Sequence, residues 1–95
     1  MNNLLGIDYG ERYIGLAIKK DNTPIPYAHK VIDIKEHDLI KEIVNIVTDE
    51  KITTIVIGYP IGLMNNKSRM SDLVDKFIDN TLKKYFELPI VKIDE

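Results

Sequence analysis

No cysteine occurs in the 95 residues, which removes both a disulfide framework and a thiolate metal site, and a reducing cytoplasm suits such a composition. The N-terminus, Met-Asn-Asn-Leu-Leu-Gly-Ile-Asp, lacks a basic segment and a long apolar run, so neither secretion nor membrane insertion is expected. Positive charge is also short. Thirteen Lys and Arg against fifteen Asp and Glu leave a net charge of -2, with a pI near 5.7. A chain so balanced does not bind nucleic acid mainly through bulk electrostatics; local basic residues, a metal or a cationic partner would have to compensate. No repeat, linker or low-complexity stretch appears. What remains is 44% hydrophobic and 29% charged, an ordinary globular composition, and a length that makes one domain near the small end of what can bury an adequate core.

The chain is organised around residues 6–17, G-I-D-Y-G-E-R-Y-I-G-L-A. A short apolar run, Leu4-Leu5-Gly6-Ile7, delivers the carboxylate of Asp8 where it stops. A second run rich in β-formers, Tyr13 to Ile18, comes after Gly10 and two charged residues, and the pattern reads as a hairpin. Asp8 then lies at the carboxyl end of the first strand, where sheets with parallel strands place their ligands. Gly10 is expected to supply a positive φ, and Gly6 and Gly15 to remove side chains where something approaches the sheet. An ordinary surface aspartate on a glycine-flanked hairpin has the same spacing.

Beyond a polar turn at residues 19–24, residues 28–34 read as a third, outer strand, with His29, Val31 and Asp33 on one face and Ala28, Lys30, Ile32 and Ile34 on the other. Pro24 and Pro26 keep the preceding stretch out of a sheet interior. His29 and His37, the only histidines, have no partner at ligand spacing and are assigned surface or edge roles. Residues 38–50 carry Leu39, Ile40, Ile43, Val44, Ile46 and Val47 at helical spacing, with Asp38 as N-cap. Residues 52–58 carry Ile55-Val56-Ile57, apolar on consecutive positions, as a central strand would be. A loop comes next, and its Asn65, Asn66, Lys67 and Arg69 can donate to phosphate oxygens, although any solvent loop can hold such residues. Residues 68–86 form a second amphipathic helix with Met70, Leu73, Val74, Phe77, Ile78, Leu82 and Tyr85 on one stripe, capped by Ser68 or Ser71. Pro89 ends it, and Ile90-Val91-Lys92-Ile93 is a last strand reaching Asp94-Glu95.

The order β-β-β-α-β-α-β predicts a mixed α/β sheet of order 3-2-1-4-5. Both crossovers run in one direction, so right-handed connections put both helices on one face. The other face is left bare and apolar, which marks a contact surface; a monodisperse monomer that binds no hydrophobic dye would argue against one.

Three stretches in sequence order resemble the YqgF/RuvX family of RNase H-like proteins, described as Holliday-junction resolvases and as nucleases that mature the 5′ end of pre-16S ribosomal RNA. G-I-D-Y-G-x-x-x-I-G-L-A resembles the family's opening motif, Ile55-Val56-Ile57-Gly58-Tyr59-Pro60 its V-V-G-L-P, and Leu88-Pro89-Ile90-Val91-Lys92-Ile93-Asp94-Glu95 its L-P-V-x-x-x-D-E. The family usually has an Asp-Gly pair near Asn65-Asn66, and it continues past the position of Glu95 through an Arg and a Thr/Ser-rich turn into a final helix. Residues 1–95 are accordingly expected to be one RNase H-like domain, C-terminally truncated. The bare face is then covered either by the family's final helix or by a second subunit in a homodimer.

The resemblance implies a metal-dependent nuclease acting on an rRNA precursor or branched DNA in the cytoplasm, with Mg²⁺ or Mn²⁺ as cofactor. It makes Asp8 and Glu95 the catalytic residues, with Asp8, Asp94 and Glu95 as metal ligands. Nucleic-acid contacts fall to Arg12, Asn65, Asn66, Lys67 and Arg69; for Arg12 a salt bridge to Glu11 or Asp8 is equally open. The family's third carboxylate comes from the final helix, so a nucleic-acid- or protein-binding module without catalysis is the rival reading. Sugar kinases and actin-like ATPases share the fold, but their second Asp-Gly hairpin and adenosine motif do not occur.

Overall fold

A computed structural model of the chain describes residues 2–60 and 69–94. Five strands form one sheet: β1 (Leu4–Asp8), β2 (Tyr13–Lys19), β3 (Tyr27–Asp33), β4 (Thr54–Tyr59) and β5 (Ile90–Asp94). Their order is β3-β2-β1-β4-β5. β2 is antiparallel to both β1 and β3, whereas β4 runs parallel to β1 and β5 parallel to β4. This is the arrangement expected from the element order.

Period-two alternation divides the sheet into two unlike faces. Leu5 and Ile7, Ile14, Leu16 and Ile18, Ile32, and Ile55 and Ile57 point to one side, where all are buried. Ile43 and Ile46 from helix α1 (Leu39–Asp49) and Val74 and Phe77 from helix α2 (Arg69–Phe77) join the same core cluster. Both helical segments therefore cover one face, and burying these branched side chains supplies the main driving force, about 1.5–3 kcal/mol for each. The other face carries Gly6, Gly15, Ala17 and Val56 in its middle, with Val31, Val91 and Ile93 exposed at its flanks. Among the described residues nothing packs over it.

The edge strand departs from simple alternation. β3 starts at Tyr27, paired with Ile18, and a bulge shifts the register between Leu16 and Ala17, so that Leu16 faces Lys30 while Ala17 faces Ala28. His29 is the extra residue, and it turns Ala28 onto the same open face as Val31 instead of the side of Lys30.

α1 begins as expected: the Asp38 side chain accepts a hydrogen bond from the Lys41 N–H at 3.2 Å. It ends with Lys51 in the left-handed region at φ 53°, a conformation that disfavours a side chain. Asn3, buried just before β1, holds this corner. Its Nδ2 donates to the carbonyls of Glu50 (3.1 Å) and Lys51 (3.2 Å), and its Oδ1 accepts from the Asp21 N–H at 2.9 Å. One side chain thus ties the start of β1 to the end of α1 and to the β2–β3 turn.

The second helical segment is not regular. α2 passes into a π-helical turn over Ile78–Leu82 and then a last helical turn, α3 (Lys83–Tyr85). The wider turn rotates the residues after it relative to a 3.6-residue stripe. Leu82 is buried and Phe86 packs on the core, whereas Tyr85, expected on the stripe, is 53% exposed. Met70 and Leu73 are only half-buried. Ser71 lies inside α2, which begins at Arg69, and so is not its N-cap; it is fully buried and its Oγ donates to the Pro60 carbonyl. Ser68, the other cap candidate, lies outside the described residues. No helix among the described residues is long and apolar enough to cross a membrane.

Replacing Asn3 with alanine removes three hydrogen bonds and leaves carbonyls at a helix end without that partner. The expected loss is about 2–3 kcal/mol in a denaturant titration, and Asn3→Asp should be no milder, because it sets a buried carboxylate oxygen against the Glu50 and Lys51 carbonyls.

Candidate active site

Asp8 ends the central strand. Its backbone pairs with Gly15 on β2, and the preceding Ile7 pairs with Ile57 on β4, so both edges of β1 are held up to the carboxylate. Because Ile7 points into the core, Asp8 points to the open face. There it is exposed at the rim of a shallow concavity of about 500 Å³ lined by Gly6, Gly15, Ala17, Val56 and Ile93. Its side chain has no hydrogen bond or ion pair among the described residues. Tyr9, next in the chain, turns to the helix side and sets its ring 4.7 Å from that of Phe77, tilted by 40°. The end of β1 is thereby fastened to α2 while Asp8 stays on the opposite side.

The glycines around Asp8 have different reasons to be there. Gly10 has no positive φ, contrary to the expectation; instead a Cβ at Gly10 would run into the Tyr13 carbonyl oxygen, well inside van der Waals contact. At Gly15 a Cβ would lie an ordinary 3.6 Å from the Cβ of Asp8. Gly10 is thus required by the hairpin's closeness, and Gly15 keeps the surface beside Asp8 low.

The hairpin tip is held by ion pairs on both sides. Arg12 pairs neither with Glu11 nor with Asp8. Its Nη2 donates to Asp33 Oδ2 at 3.0 Å and its Nε to both carboxylate oxygens at 3.3 Å, while the guanidinium lies 5.1 Å from the centre of the Tyr13 ring. Hydrogen bonds from Arg12, then from the Lys35 N–H, hold the Asp33 carboxyl below its usual range, and Asp33 raises Arg12 in turn. On the other side Arg69, the first residue of α2, donates to the two Glu11 oxygens at 2.5 and 2.6 Å. Those bonds pull the Glu11 carboxyl down and raise Arg69.

Asp94 does not join Asp8. It pairs with Tyr59 at the end of β4, one residue out of step with Gly58 and Ile93, which share the Asp8 face. Period-two alternation puts it on the helix-covered side. On that side Tyr59 Oη donates to Asp75 at 2.8 Å, and Lys92 Nζ lies 2.7 Å from the other Asp75 oxygen and 4.6 Å from the Tyr59 ring centre. Asn65, Asn66, Lys67 and Glu95 lie outside the described residues. Among the described residues, no three His, Cys, Asp or Glu gather closely enough to hold a metal ion.

Sequence reasoning missed Asp33 and Glu11 as partners of the two arginines, and the Tyr9–Phe77 and Tyr59–Asp75–Lys92 contacts. Only the last had a sequence signal: Lys92 and Tyr59 fall on the same face near the ends of neighbouring parallel strands.

A five-stranded sheet of order 3-2-1-4-5, with helices on one face and an aspartate closing its central strand, defines an RNase H-like fold. Solved structures agree. RuvC of Thermus thermophilus superimposes with a TM-score of 0.60 at 15% identity, over 97% of this chain and 63% of that one. Fowlpox virus resolvase, solved with substrate Holliday junction DNA, gives 0.54 at 12% identity over 97% and 60%. The family described as RuvX, Holliday junction resolvase, matches residues 2–95, and the chain belongs to that family. A relative from Dictyoglomus turgidum, named as a candidate pre-16S rRNA nuclease, is 32% identical over 93 residues, covering 97% of this chain and 65% of its own length. One from Bacteroides thetaiotaomicron with the same name is 28% identical over 95 residues, covering 100% and 67%. The chain thus spans about two thirds of the length of these curated relatives.

Gly10→Ala is expected to lower stability by about 2 kcal/mol or more, since the close contact is with backbone that cannot yield without opening the hairpin. Gly15→Ala is expected to change it by less than about 1 kcal/mol. Parallel thermal melts of the two variants check the contrast.

Proposed function

We propose that the chain carries the first catalytic carboxylate of a divalent-metal-dependent nuclease acting on structured nucleic acid, either a ribosomal RNA precursor or branched DNA, in the cytoplasm. The observation that carries the reading is the placement of Asp8. A carboxylate at the carboxyl end of the central parallel strand stands on the open face and is engaged by no other described group. A surface aspartate kept only for solubility has no need of a strand held on both edges or of an anchoring ring pair behind it.

Asp8 suits a hard cation such as Mg²⁺ or Mn²⁺, which takes carboxylate oxygens. Bound there, such an ion supplies an activated water and neutralises charge on the phosphate. The described residues offer Asp8 alone from the implied ligand set. Asp94 faces away, and Glu95 remains a ligand on the strength of the family motif. The part left to this chain is to hold one carboxylate rigid beside a low, apolar surface and to place Arg69 at the same sheet end. Asn65, Asn66 and Lys67 are retained as nucleic-acid contacts on the same footing as Glu95.

One observation favours a second reading. With no three-ligand cluster among the described residues, the chain would serve as a binding module, its open face or its basic residues taking nucleic acid or a protein, the latter including a second copy of itself.

Cleavage of a four-way DNA junction and of an rRNA precursor fragment in Mn²⁺ separates the two. Metal-dependent cleavage should fall by at least about a hundredfold in Asp8→Asn, the loss of a ligand being worth several kcal/mol in the transition state. Binding that persists in Asp8→Asn without cleavage by either chain would instead select the module.

A further inference from the structure

We propose that Glu11 is an internal stand-in for a nucleic-acid phosphate, seated in the guanidinium fork of Arg69 until a backbone phosphate displaces it. This rests on the nucleic-acid reading above and adds to it a residue that sets affinity. Each Glu11 oxygen meets a different Arg69 nitrogen, at 2.5 and 2.6 Å. Two parallel N–H···O bonds are also how a guanidinium takes a phosphate, so the incoming group needs no new geometry. The two side chains, Arg69 and Glu11, are 71% and 52% exposed. Solvent screens such a pair, and exchanging one anion for another costs little.

The neighbouring arginine shows by contrast what a retained pair looks like. Asp33 is only 17% exposed, accepts from both the Nε and Nη2 of Arg12, and also accepts the Lys35 N–H at 3.0 Å. Arg12 further lies over the Tyr13 ring. Removing Arg12 from that setting breaks several contacts that hold β2 to β3. Removing Arg69 from Glu11 breaks one open pair. Of the two arginines beside the hairpin tip, the fold keeps Arg12 and makes Arg69 releasable.

Position supports the exchange. Glu11 lies three residues beyond Asp8 on the connection from β1 to β2, and Arg69 opens α2, so the exchangeable cation sits at the sheet end that carries the carboxylate. Displacement costs the ion pair that Glu11 made with Arg69, and the freed carboxylate takes up a counterion in water. Binding is then weaker and less salt-dependent than Arg69 alone would make it. A chain of net charge -2 is in this way restrained from holding polyanions indiscriminately.

The test is a double-mutant cycle with wild type, Glu11→Gln, Arg69→Gln and the double variant. Binding to a four-way DNA junction is measured in EDTA, where cleavage plays no part, across a range of salt. Glu11→Gln should tighten binding roughly three- to tenfold at low salt and steepen the salt dependence by about one ion. Arg69→Gln alone should weaken it by less than about threefold. In the Arg69→Gln background, Glu11→Gln should then matter by less than about twofold, as should Glu36→Gln, a charge-matched control at another exposed acid. An equal gain from Glu11→Gln in both backgrounds would show diffuse repulsion and overturn the stand-in while leaving the nucleic-acid reading in place. No gain in either background would overturn it likewise. Absence of binding by wild type and every variant would remove the nucleic-acid reading itself, and the stand-in with it.

Discussion

Everything at the functional end of the molecule depends on β1 being gripped along both edges, antiparallel by β2 and parallel by β4. A strand so held has no freedom to slip, since a shift of one residue would carry Leu5 and Ile7 out of the core and Asp8 into it. The penalty for burying an unpaired carboxylate, added to the loss of two large apolar side chains, fixes the register. The same alternation that buries Ile7 therefore presents Asp8. Asn3 fixes the other end of the strand through its bonds to Glu50, Lys51 and Asp21, and Tyr9 on Phe77 fixes the near end. The position of the carboxylate is a product of core packing, with no contact of its own required.

Half of the described cations are engaged in ion pairs within the fold, and besides the Arg69 pair four of those pairs join separate elements. Lys20 pairs with Glu50, Lys30 with Glu42, Lys92 with Asp75 and Arg12 with Asp33. Each is a modest contribution at an exposed or half-exposed site, but together they join neighbouring elements: turn to helix, edge strand to helix, last strand to helix, and hairpin tip to edge strand. These four basic residues serve the structure and are withdrawn from the cationic surface on offer. This gives a residue such as Arg69, whose partner is easily exchanged, more weight than its charge alone suggests.

Much of this was legible from the sequence because it rests on periodicity. Strand order, the single helix-covered face and the placement of Asp8 at a strand end all come from runs such as Ile55-Val56-Ile57 and from the handedness of crossovers. The N-cap at Asp38 is a local signal and is present. The features that were not legible depend on events that leave no mark in hydrophobic pattern. The bulge at His29 reverses which face Ala28 occupies, and the π turn over Ile78–Leu82 takes Tyr85 off the apolar stripe. Both insert one residue into a regular repeat, and a repeat read from sequence has no means of showing where it is interrupted. The family motif groups Asp94 with Asp8, but a motif counts residues and not faces; the pairing of Asp94 with Tyr59 settles the side. Sequence neighbours offer Arg12 only Glu11 and Asp8, while its partner, Asp33, stands 21 residues away across the β2–β3 register.

The open face bears on Asp8 directly. Gly6, Gly15 and Ala17 give that face a floor without projecting side chains, and Val31, Val91 and Ile93 stand exposed at its edges. Apolar surface of this kind gains by being covered. A covering group of any chemistry would also displace water from beside Asp8, at the rim of the same concavity. The interaction of that carboxylate with a cation or a phosphate-bound charge strengthens as the local dielectric falls. Covering the face and strengthening Asp8 as a ligand are therefore one event, coupled by the one-residue step in β1 that turns Ile7 inward and Asp8 outward.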